Sequence, residues 1–330
     1  MPSDSTTPSS NMTRHLLWGF LITWFVVNGA GTWFIRTRTD AGNVFLPHEA
    51  RMASLSHSVD TLFLGNSFSS SAVQPSLLAP ALTGWSGYNH SILVGGVSTA
   101  HMALNHWLRH KPAPRTIVWT LSHFEMSGKS SIVTMKFEQD GGLADMPWIF
   151  DSGPARGDLL QYLGRNLLAP AARDAPLWTQ WLRHNAPGEA DIGPDGAQPL
   201  NAGEADKEPV EGFEKTRSFY LNLMTNGFVR DAKTPGVIAS FKKRCEALGI
   251  RLVILAPPTN SRHEALFHSA EDHAWAWEAL QTACRDSGIP LWDLRQEFPD
   301  EDFADGVHLQ KRVIPEFNRR LAERLRTLGP

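Results

Sequence analysis

The segment Leu62-Phe63-Leu64-Gly65-Asn66-Ser67 is a short apolar run that ends in a glycine and a hydroxyl side chain. A run of this length, bounded by turn residues, predicts a buried strand. Such a strand can deliver a nucleophilic side chain to the edge of a sheet. We therefore expect Ser67 to lie just beyond the carboxyl end of a buried strand.

Strand-like and helix-like patterns alternate outward from this segment. The predicted strands cover residues 61–64, 91–94, 116–121, 251–256 and 290–294. The predicted helices cover residues 75–82, 98–110, 235–248, 271–287 and 311–328. Repeated strand-helix units make a parallel sheet that is covered on both faces. The sequence thus predicts an α/β protein.

This alternation stops between residues 125 and 234, a stretch far longer than the usual connection within an α/β unit. Helices are predicted there at 158–168 and 177–183, and residues 186–212 have the composition of a flexible loop. Segments inserted after strand ends lie on the rim of an α/β sheet, where they can cap a binding site. A surface insertion without a role in binding is the alternative interpretation.

The N-terminal region contains a long run without ionisable side chains, from residue 16 to residue 35. About 20 apolar residues are needed to cross the hydrocarbon core of a membrane. Trp18 and Trp33 lie near the two ends of this run, where indole rings favour the membrane interface. We predict a disordered tail over residues 1–14 and a transmembrane anchor over 15–35. A cleaved signal peptide and a buried helix are the alternatives.

The overall charge and the cysteine content exclude some functional classes. The chain has 31 basic and 34 acidic residues and a net charge of −3, which gives no electrostatic basis for nucleic-acid binding. Cys245 and Cys284 lie in predicted helices and are interpreted as buried free thiols. His106 and His110 have the i, i+4 spacing of a metal pair, but no third ligand follows them. We expect these two histidines to face solvent, and we predict no metal and no cofactor.

A second motif, Asp305-Gly306-Val307-His308, precedes the last predicted helix. An imidazole within hydrogen-bond reach of a serine hydroxyl can remove its proton during attack on an ester carbonyl. A carboxylate on the other ring nitrogen fixes the tautomer and stabilises the imidazolium. Ser67, His308 and Asp305 are therefore the candidate nucleophile, base and orienting acid of a catalytic triad.

These motifs, in their order along the chain, resemble the sequence blocks of the SGNH (GDSL-type) hydrolases. Gly65-Asn66-Ser67 resembles the first block, with asparagine in place of aspartate, and Gly95 or Gly96 occupies the place of the second. The last block is matched closely by residues 303–309. The third block departs from the pattern, because Thr120-Leu121-Ser122-His123 lacks the family's asparagine. The resemblance implies a flavodoxin-like three-layer sandwich over residues 36–330, with 125–234 inserted after the third strand.

The resemblance also implies an oxyanion hole, which stabilises the charge that develops on the attacked carbonyl oxygen. Its candidate donors are the backbone N–H groups of Ser67 and Gly96 and the side chain of Ser122. Asn260, which follows the fourth predicted strand, is a second candidate donor and a candidate for substrate binding. Asn66 and Trp148 complete the candidate substrate-binding residues. Trp148 could stack on a sugar ring, and packing within the insertion is its alternative role.

More narrowly, the predicted anchor and the Gly-Asn-Ser block are similar to those of membrane-anchored SGNH-like proteins, such as the D-alanyl transfer protein of teichoic acid modification and alginate O-acetylation proteins. This implies a single-pass inner-membrane protein with an extracytoplasmic body, a membrane-bound O-acyltransferase partner and a polysaccharide substrate. Arg36 and Arg38 after the anchor would instead place the body in the cytoplasm by the positive-inside rule.

The predicted function is an acyltransferase or esterase that acts on acyl esters, most simply acetyl esters, of a cell-surface polysaccharide through an acyl-serine intermediate. The altered third block leaves a second hypothesis open. In it the protein is a catalytically weak or inactive scaffold that binds glycan or a membrane acyltransferase. A lipase or thioesterase that faces the cytoplasm is a third.

Overall fold

A computed structural model describes residues 10–38, 46–56, 58–92, 97, 99–126, 192–197, 209–221, 228–230, 234–266 and 269–329. The chain divides into two compact units. The first contains residues 1–42 and 155–187, and the second contains residues 43–154 and 188–330. The predicted helices at 158–168 and 177–183 lie outside the described residues, as does Trp148.

Helix α1 (Ser10–Arg38) is the described part of the first unit. It begins before residue 15, within the stretch predicted to be a disordered tail. Its large apolar side chains are exposed, among them Leu16 at 67% and Phe20 at 63%. Of the helices that the structure describes, none combines the length and the apolar character that a membrane crossing requires. The anchor over residues 15–35 stays a prediction.

The second unit is built on a five-stranded parallel sheet. Its strands are β1 (Thr61–Leu64), β2 (Gly87–Asn89), β3 (Thr116–Thr120), β4 (Arg251–Ala256) and β5 (Leu291–Asp293). The spatial order is β2-β1-β3-β4-β5, which is the flavodoxin-like order. The predicted α/β class with a parallel sheet is therefore confirmed.

The helices of this unit precede, connect and follow the strands along the chain. They are α2 (Leu46–Ser54), α3 (Ser67–Ala72), α4 (Pro75–Leu78), α5 (Thr99–His110), α6 (Pro209–Leu221), α7 (Thr234–Ala247), α8 (Ser261–Glu264), α9 (Ala270–Asp286) and α10 (Ile314–Arg326). Helix α7 packs with α9, and α10 packs with α3 and α4. Every residue of β1 and β3 is buried, as the apolar pattern of both strands predicts. The unit is a three-layer α/β sandwich.

Strand β2 is not where the sequence places it. The predicted strand at 91–94 is wrong in position, because residues 87–89 pair with β1 instead. Asn89 can be buried in this strand because its side-chain amide donates to the carbonyl oxygens of Ser69, at 2.8 Å, and Val73, at 2.7 Å. These bonds satisfy a polar side chain that would otherwise be costly to bury. Residues 93 and 94 lie outside the described part of the chain.

A segment of the predicted insertion covers the open edge of β2. The N–H of Asn89 donates to the Asp195 carbonyl at 2.9 Å, and the Asp195 carboxylate accepts from the Ser76 N–H at 2.8 Å. Gly196 has a φ of +82°, and a Cβ there would lie 2.1 Å from the Asn89 carbonyl oxygen. The close approach therefore requires glycine. Covering the edge removes a row of unpaired backbone groups that could pair with another chain.

Three buried histidines lie in contact beside this edge: His90 stacks on His106 and meets His48 edge-to-face. His48 Nδ1 lies 3.0 Å from the Tyr88 hydroxyl, and His106 Nδ1 lies 3.1 Å from His90 Nε2. The prediction that His106 faces solvent is wrong, because the residue is only 4% exposed. His110, one turn further along α5, is exposed as predicted. Cys245 and Cys284 are buried free thiols, also as predicted.

Candidate active site

The candidate nucleophile lies in the turn between β1 and α3. Asn66 caps α3, since its side-chain oxygen accepts the Phe68 N–H at 3.0 Å. A Cβ on Gly65 would lie 2.9 Å from the Cβ atoms of both Ser69 and Thr120, so the turn is too tight for a larger residue. This packing places Ser67 at the first position of α3, half-buried at the carboxyl edge of the sheet.

The assignment of Asn66 to substrate binding needs correction. The residue is only 7% exposed, and its side-chain oxygen is bonded to the backbone of α3. A side chain in this position fixes the start of the helix that carries the nucleophile. Asn66 therefore supports Ser67, and its side chain is bonded to the α3 backbone and to Glu125.

The structure brings Ser67, His308 and Asp305 together, although Ser67 is far from the other two in sequence. His308 Nε2 lies 2.9 Å from the Ser67 hydroxyl oxygen. His308 Nδ1 lies 2.8 Å from Asp305 Oδ2. The order hydroxyl, imidazole, carboxylate is the order of a catalytic triad, in which the hydroxyl donates to one ring nitrogen and the other ring N–H donates to the carboxylate.

Asp305 also organises the loop that carries the base. Its Oδ1 accepts the backbone N–H groups of Val307 and His308, each at 2.7 Å. Burial alone would raise the pKa of Asp305, but the His308 ring and these N–H groups hold it below its ordinary value. The carboxylate is therefore ionised at neutral pH and can stabilise an imidazolium.

Helix α6 packs directly on this catalytic loop. A Cβ on Gly212 would lie 1.8 Å from the Ala304 carbonyl oxygen, so only glycine allows the contact. The side chain of Phe213 lies against Gly306, and Tyr220 is buried against the ring of His263 at 4.7 Å. Helix α6 begins within the stretch 186–212 that was predicted as a loop. This part of the predicted insertion thus belongs to the wall of the site.

Ser122 follows β3, the strand beside β1, and so lies at the same edge of the sheet as Ser67. It is 1% exposed, and its hydroxyl has no hydrogen-bond partner among the residues that the structure describes. Its backbone N–H donates to Glu125 Oε2 at 2.7 Å. The predicted oxyanion donor Gly96 lies outside the described residues.

Asn260 does not act as the sequence predicts. It caps α8, its side-chain oxygen accepts the Arg262 N–H at 2.9 Å, and its amide donates to the Asp300 carbonyl at 3.3 Å. The residue is 3% exposed. Both functional ends of its side chain are therefore used by the backbone, and the residue has a structural role here instead of binding substrate.

Glu125 is a site residue that the sequence did not reveal. Its carboxyl group is buried and bonds both the Ser122 N–H and the side chain of Asn66. Burial raises the pKa of Glu125 to about 8, although these two bonds act in the opposite direction. The residue links the turn that carries Ser67 to the turn that carries Ser122. The only local sequence signal is a carboxylate three residues after Ser122.

The sheet order 2-1-3-4-5 carries a serine after its first strand and an Asp-x-x-His motif before its last helix, and the two motifs meet in a triad. The chain has a flavodoxin-like α/β fold, and its candidate triad lies at the carboxyl edge of the sheet. The family-model scan and the search of curated proteins returned no match.

Several solved structures are similar to this chain at low identity. A Bacteroides fragilis protein described as an acylhydrolase shares 10% identity with a TM-score of 0.42, over 87% of this chain and 99% of its own. A lipase/acylhydrolase from Enterococcus faecalis shares 11% sequence identity with a TM-score of 0.35, and the match covers 80% of this chain and 94% of the Enterococcus chain. An extracellular lipase from Streptomyces rimosus shares 9% sequence identity with a TM-score of 0.37, and the match covers 81% of this chain and 99% of the Streptomyces chain.

Proposed function

We propose that this α/β protein is an SGNH-type serine esterase or O-acyltransferase that works through an acyl-Ser67 intermediate. The observation that carries the proposal is the continuous hydrogen-bonded path from Ser67 through His308 to Asp305, with distances of 2.9 and 2.8 Å. Both distances lie within the reach that proton transfer requires. The nucleophile is also half-buried and not sealed in the core, so an ester can approach it.

The reaction follows from the geometry of these three residues. Ser67 Oγ attacks the ester carbonyl carbon while His308 Nε2 takes the hydroxyl proton, and ionised Asp305 stabilises the resulting imidazolium. The tetrahedral intermediate collapses, the alkoxide leaves, and His308 returns the proton to it as the free alcohol. A second hydroxyl compound then attacks the acyl-Ser67 ester with His308 again acting as base. Water as this acceptor gives hydrolysis, and a sugar hydroxyl gives transfer.

The substrate class that we propose is an acyl ester, most simply an acetyl ester, of a cell-surface polysaccharide. The support is the resemblance of the sequence blocks to membrane-anchored SGNH-like proteins. The exposed apolar side chains of α1, such as Phe20, Phe25 and Val26, also favour attachment to a membrane. In this proposal the body is extracytoplasmic and works beside a membrane-bound O-acyltransferase.

The environment of Ser122 favours a second candidate function. Because this hydroxyl is buried and replaces the family's asparagine, the oxyanion can lack one side-chain donor. Loss of one such donor costs about 10²- to 10³-fold in kcat. A protein weakened in this way could serve as a scaffold that binds glycan or a membrane acyltransferase.

An assay with two acceptors separates these functions. The full chain and its Ser67→Ala variant are incubated with an O-acetylated polysaccharide, with and without an unacetylated acceptor oligosaccharide, and free acetate and acetylated acceptor are both measured. Release or transfer that the variant lacks supports the esterase or transferase. Glycan binding without turnover by the wild type, or equal turnover by both proteins, overturns it and leaves the scaffold.

The membrane proposal has its own test. The full chain should float with vesicles of phosphatidylethanolamine and phosphatidylglycerol in a density gradient, and the Phe20→Asp/Val26→Asp double variant should not, because charges oppose insertion of α1. Wild-type protein that stays at the bottom of the gradient contradicts membrane attachment without affecting the proposed chemistry.

A further inference from the structure

A cluster of metal-ligating side chains lies beside the catalytic loop and takes no part in the triad. His123 is in the 3₁₀ turn His123–Met126 after β3, Glu264 is the last residue of α8, and His273 is in the first part of α9. One ligand atom from each residue lies within 4.8 Å of the other two. The turn after β3 and the consecutive helices α8 and α9 thus bring two imidazoles and a carboxylate close together.

We propose that His123, Glu264 and His273 form a binding site for a divalent transition-metal ion, with zinc as the ion that suits the donors best. Two histidines with one glutamate are a donor set of zinc sites with three protein ligands, which keep one position open for water. Imidazole nitrogen also suits copper, nickel and iron, whereas calcium and magnesium prefer oxygen donors alone.

The distances are compatible with this ion. Zinc binds nitrogen and oxygen at about 2.0–2.2 Å in tetrahedral geometry, which places two ligand atoms roughly 3.4 Å apart. His273 Nε2 and Glu264 Oε1 are already 3.5 Å apart. The remaining pairs lie within 4.8 Å, so binding would require the half-buried Glu264 and His273 side chains to rotate toward the ion.

The surrounding side chains orient the ligands and reduce the electrostatic repulsion that a bound cation would meet. The Thr259 hydroxyl donates to Glu264 Oε1 at 2.7 Å, the kind of outer contact that fixes a ligating carboxylate. The nearby cation Arg295 is held by both oxygens of Asp293, at 3.0 and 3.1 Å, and its guanidinium lies on the ring of Trp277. Its charge is therefore compensated within the cluster's own neighbourhood.

The site lies beside the two turns that hold the catalytic groups. His123 is next in sequence to Ser122, and His263, which precedes Glu264, lies against Gly306 of the catalytic loop. A bound ion would therefore tie the turn after β3 to α8 and α9. We assign it a structural role, in which it holds the wall of the site and takes no part in acyl transfer.

The proposal is independent of the proposed esterase activity, and its test uses binding alone. Chelator-treated full-length protein is titrated with zinc chloride by calorimetry, and the cobalt(II) form is examined by visible absorption. We expect one tight equivalent, tetrahedral cobalt bands and a higher unfolding temperature with zinc. His273→Asn and Glu264→Gln should each weaken binding by at least tenfold. His110→Asn removes an exposed histidine elsewhere and should leave binding unchanged.

Thermal unfolding of the metal-free variants separates a lost ligand from a lost fold. If Glu264→Gln fails to fold, His273→Asn decides the result. The proposal is overturned if the wild type takes up no zinc at micromolar concentration, if His273→Asn binds as tightly as the wild type, or if His110→Asn weakens binding equally. In those cases the cluster is a hydrogen-bonded network without an ion.

Discussion

Replacement of Asp305 by asparagine removes a charge from the triad while keeping the shape of the side chain. In the wild type, Oδ1 accepts two backbone N–H groups and Oδ2 accepts the ring N–H of His308 at 2.8 Å. Asparagine can keep the two backbone bonds through its oxygen. Its NH₂ group then faces His308 Nδ1 and can only donate to it. The ring proton must therefore move to Nε2, where it blocks acceptance of the Ser67 proton.

The expected effect on catalysis is large, and the effect on stability is moderate. The wrong tautomer costs about 10⁴-fold in kcat, or about 5 kcal/mol of transition-state stabilisation. Exchange of a hydrogen bond to a charged group, worth about 1.5–3 kcal/mol, for a neutral one, worth about 0.5–1.5 kcal/mol, costs about 1 kcal/mol of unfolding free energy. Most of that cost applies here, since the Asp305 and His308 side chains are only 16% and 12% exposed. The variant should fold and be nearly inactive.

Initial rates of p-nitrophenyl acetate hydrolysis measure the catalytic loss, and urea unfolding measures the stability. Asp302→Asn is the matched control, because Asp302 lies on the same loop but pairs with Arg312 at 2.9 Å. The triad account is refuted if folded Asp305→Asn keeps activity within tenfold of the wild type. It is also refuted if Asp302→Asn loses as much.

Three further predictions concern stability and packing. Burial lowers the pKa of His48 and His106 to about 3 and that of His90 well below its ordinary value. The unfolded chain therefore binds protons that the native chain excludes. Stability should be full above pH 6.5 and fall by up to about 4 kcal/mol per pH unit below it; urea unfolding that is unchanged between pH 7 and 5 would be inconsistent with this. Gly65→Ala should cost about 1–3 kcal/mol by overpacking and slow ester hydrolysis by displacing the nucleophile turn; wild-type rates would speak against that tight turn. Asn318→Ala removes three hydrogen bonds, one accepted from the Gln74 N–H and two donated to the carbonyl oxygens of Ala72 and Ile314, and should cost about 3 kcal/mol in the same unfolding assay; a cost under 1 kcal/mol would show that these bonds are dispensable.

The sequence predicts the central strands well because buried strands are composed of consecutive apolar residues. The ranges predicted for β1 and β4 agree with the structure, since both strands are apolar runs bounded by turn residues. The Gly-Tyr-Asn sequence of β2 has no such pattern. Its strand conformation comes from pairing with Phe63 and its neighbours, which is a tertiary effect that no local pattern reveals.

The candidate triad could be predicted because its residues follow a strand and precede a helix, where loop motifs are recognisable. Asn66 and Asn260 were assigned to the wrong roles for a common reason. Asparagine side chains readily bond the backbone two residues onward, and the sequence does not show that this bond has formed. Glu125 and His123 were missed because Asn66, the second partner of Glu125, and the neighbours of His123, Glu264 and His273, come from distant elements that only the folded sheet brings together.

Covalent labelling by a fluorophosphonate probe measures the reactivity of Ser67 itself. Intact-mass analysis and peptide mapping of the folded full-length protein should show one adduct, located on Ser67. His308→Ala should slow its formation strongly, because the hydroxyl then loses the base that lies 2.9 Å away. Ser67→Ala should abolish it. A folded wild type that forms no adduct, or a Ser67→Ala variant that is labelled to the same extent, would contradict the assignment of Ser67 as the nucleophile.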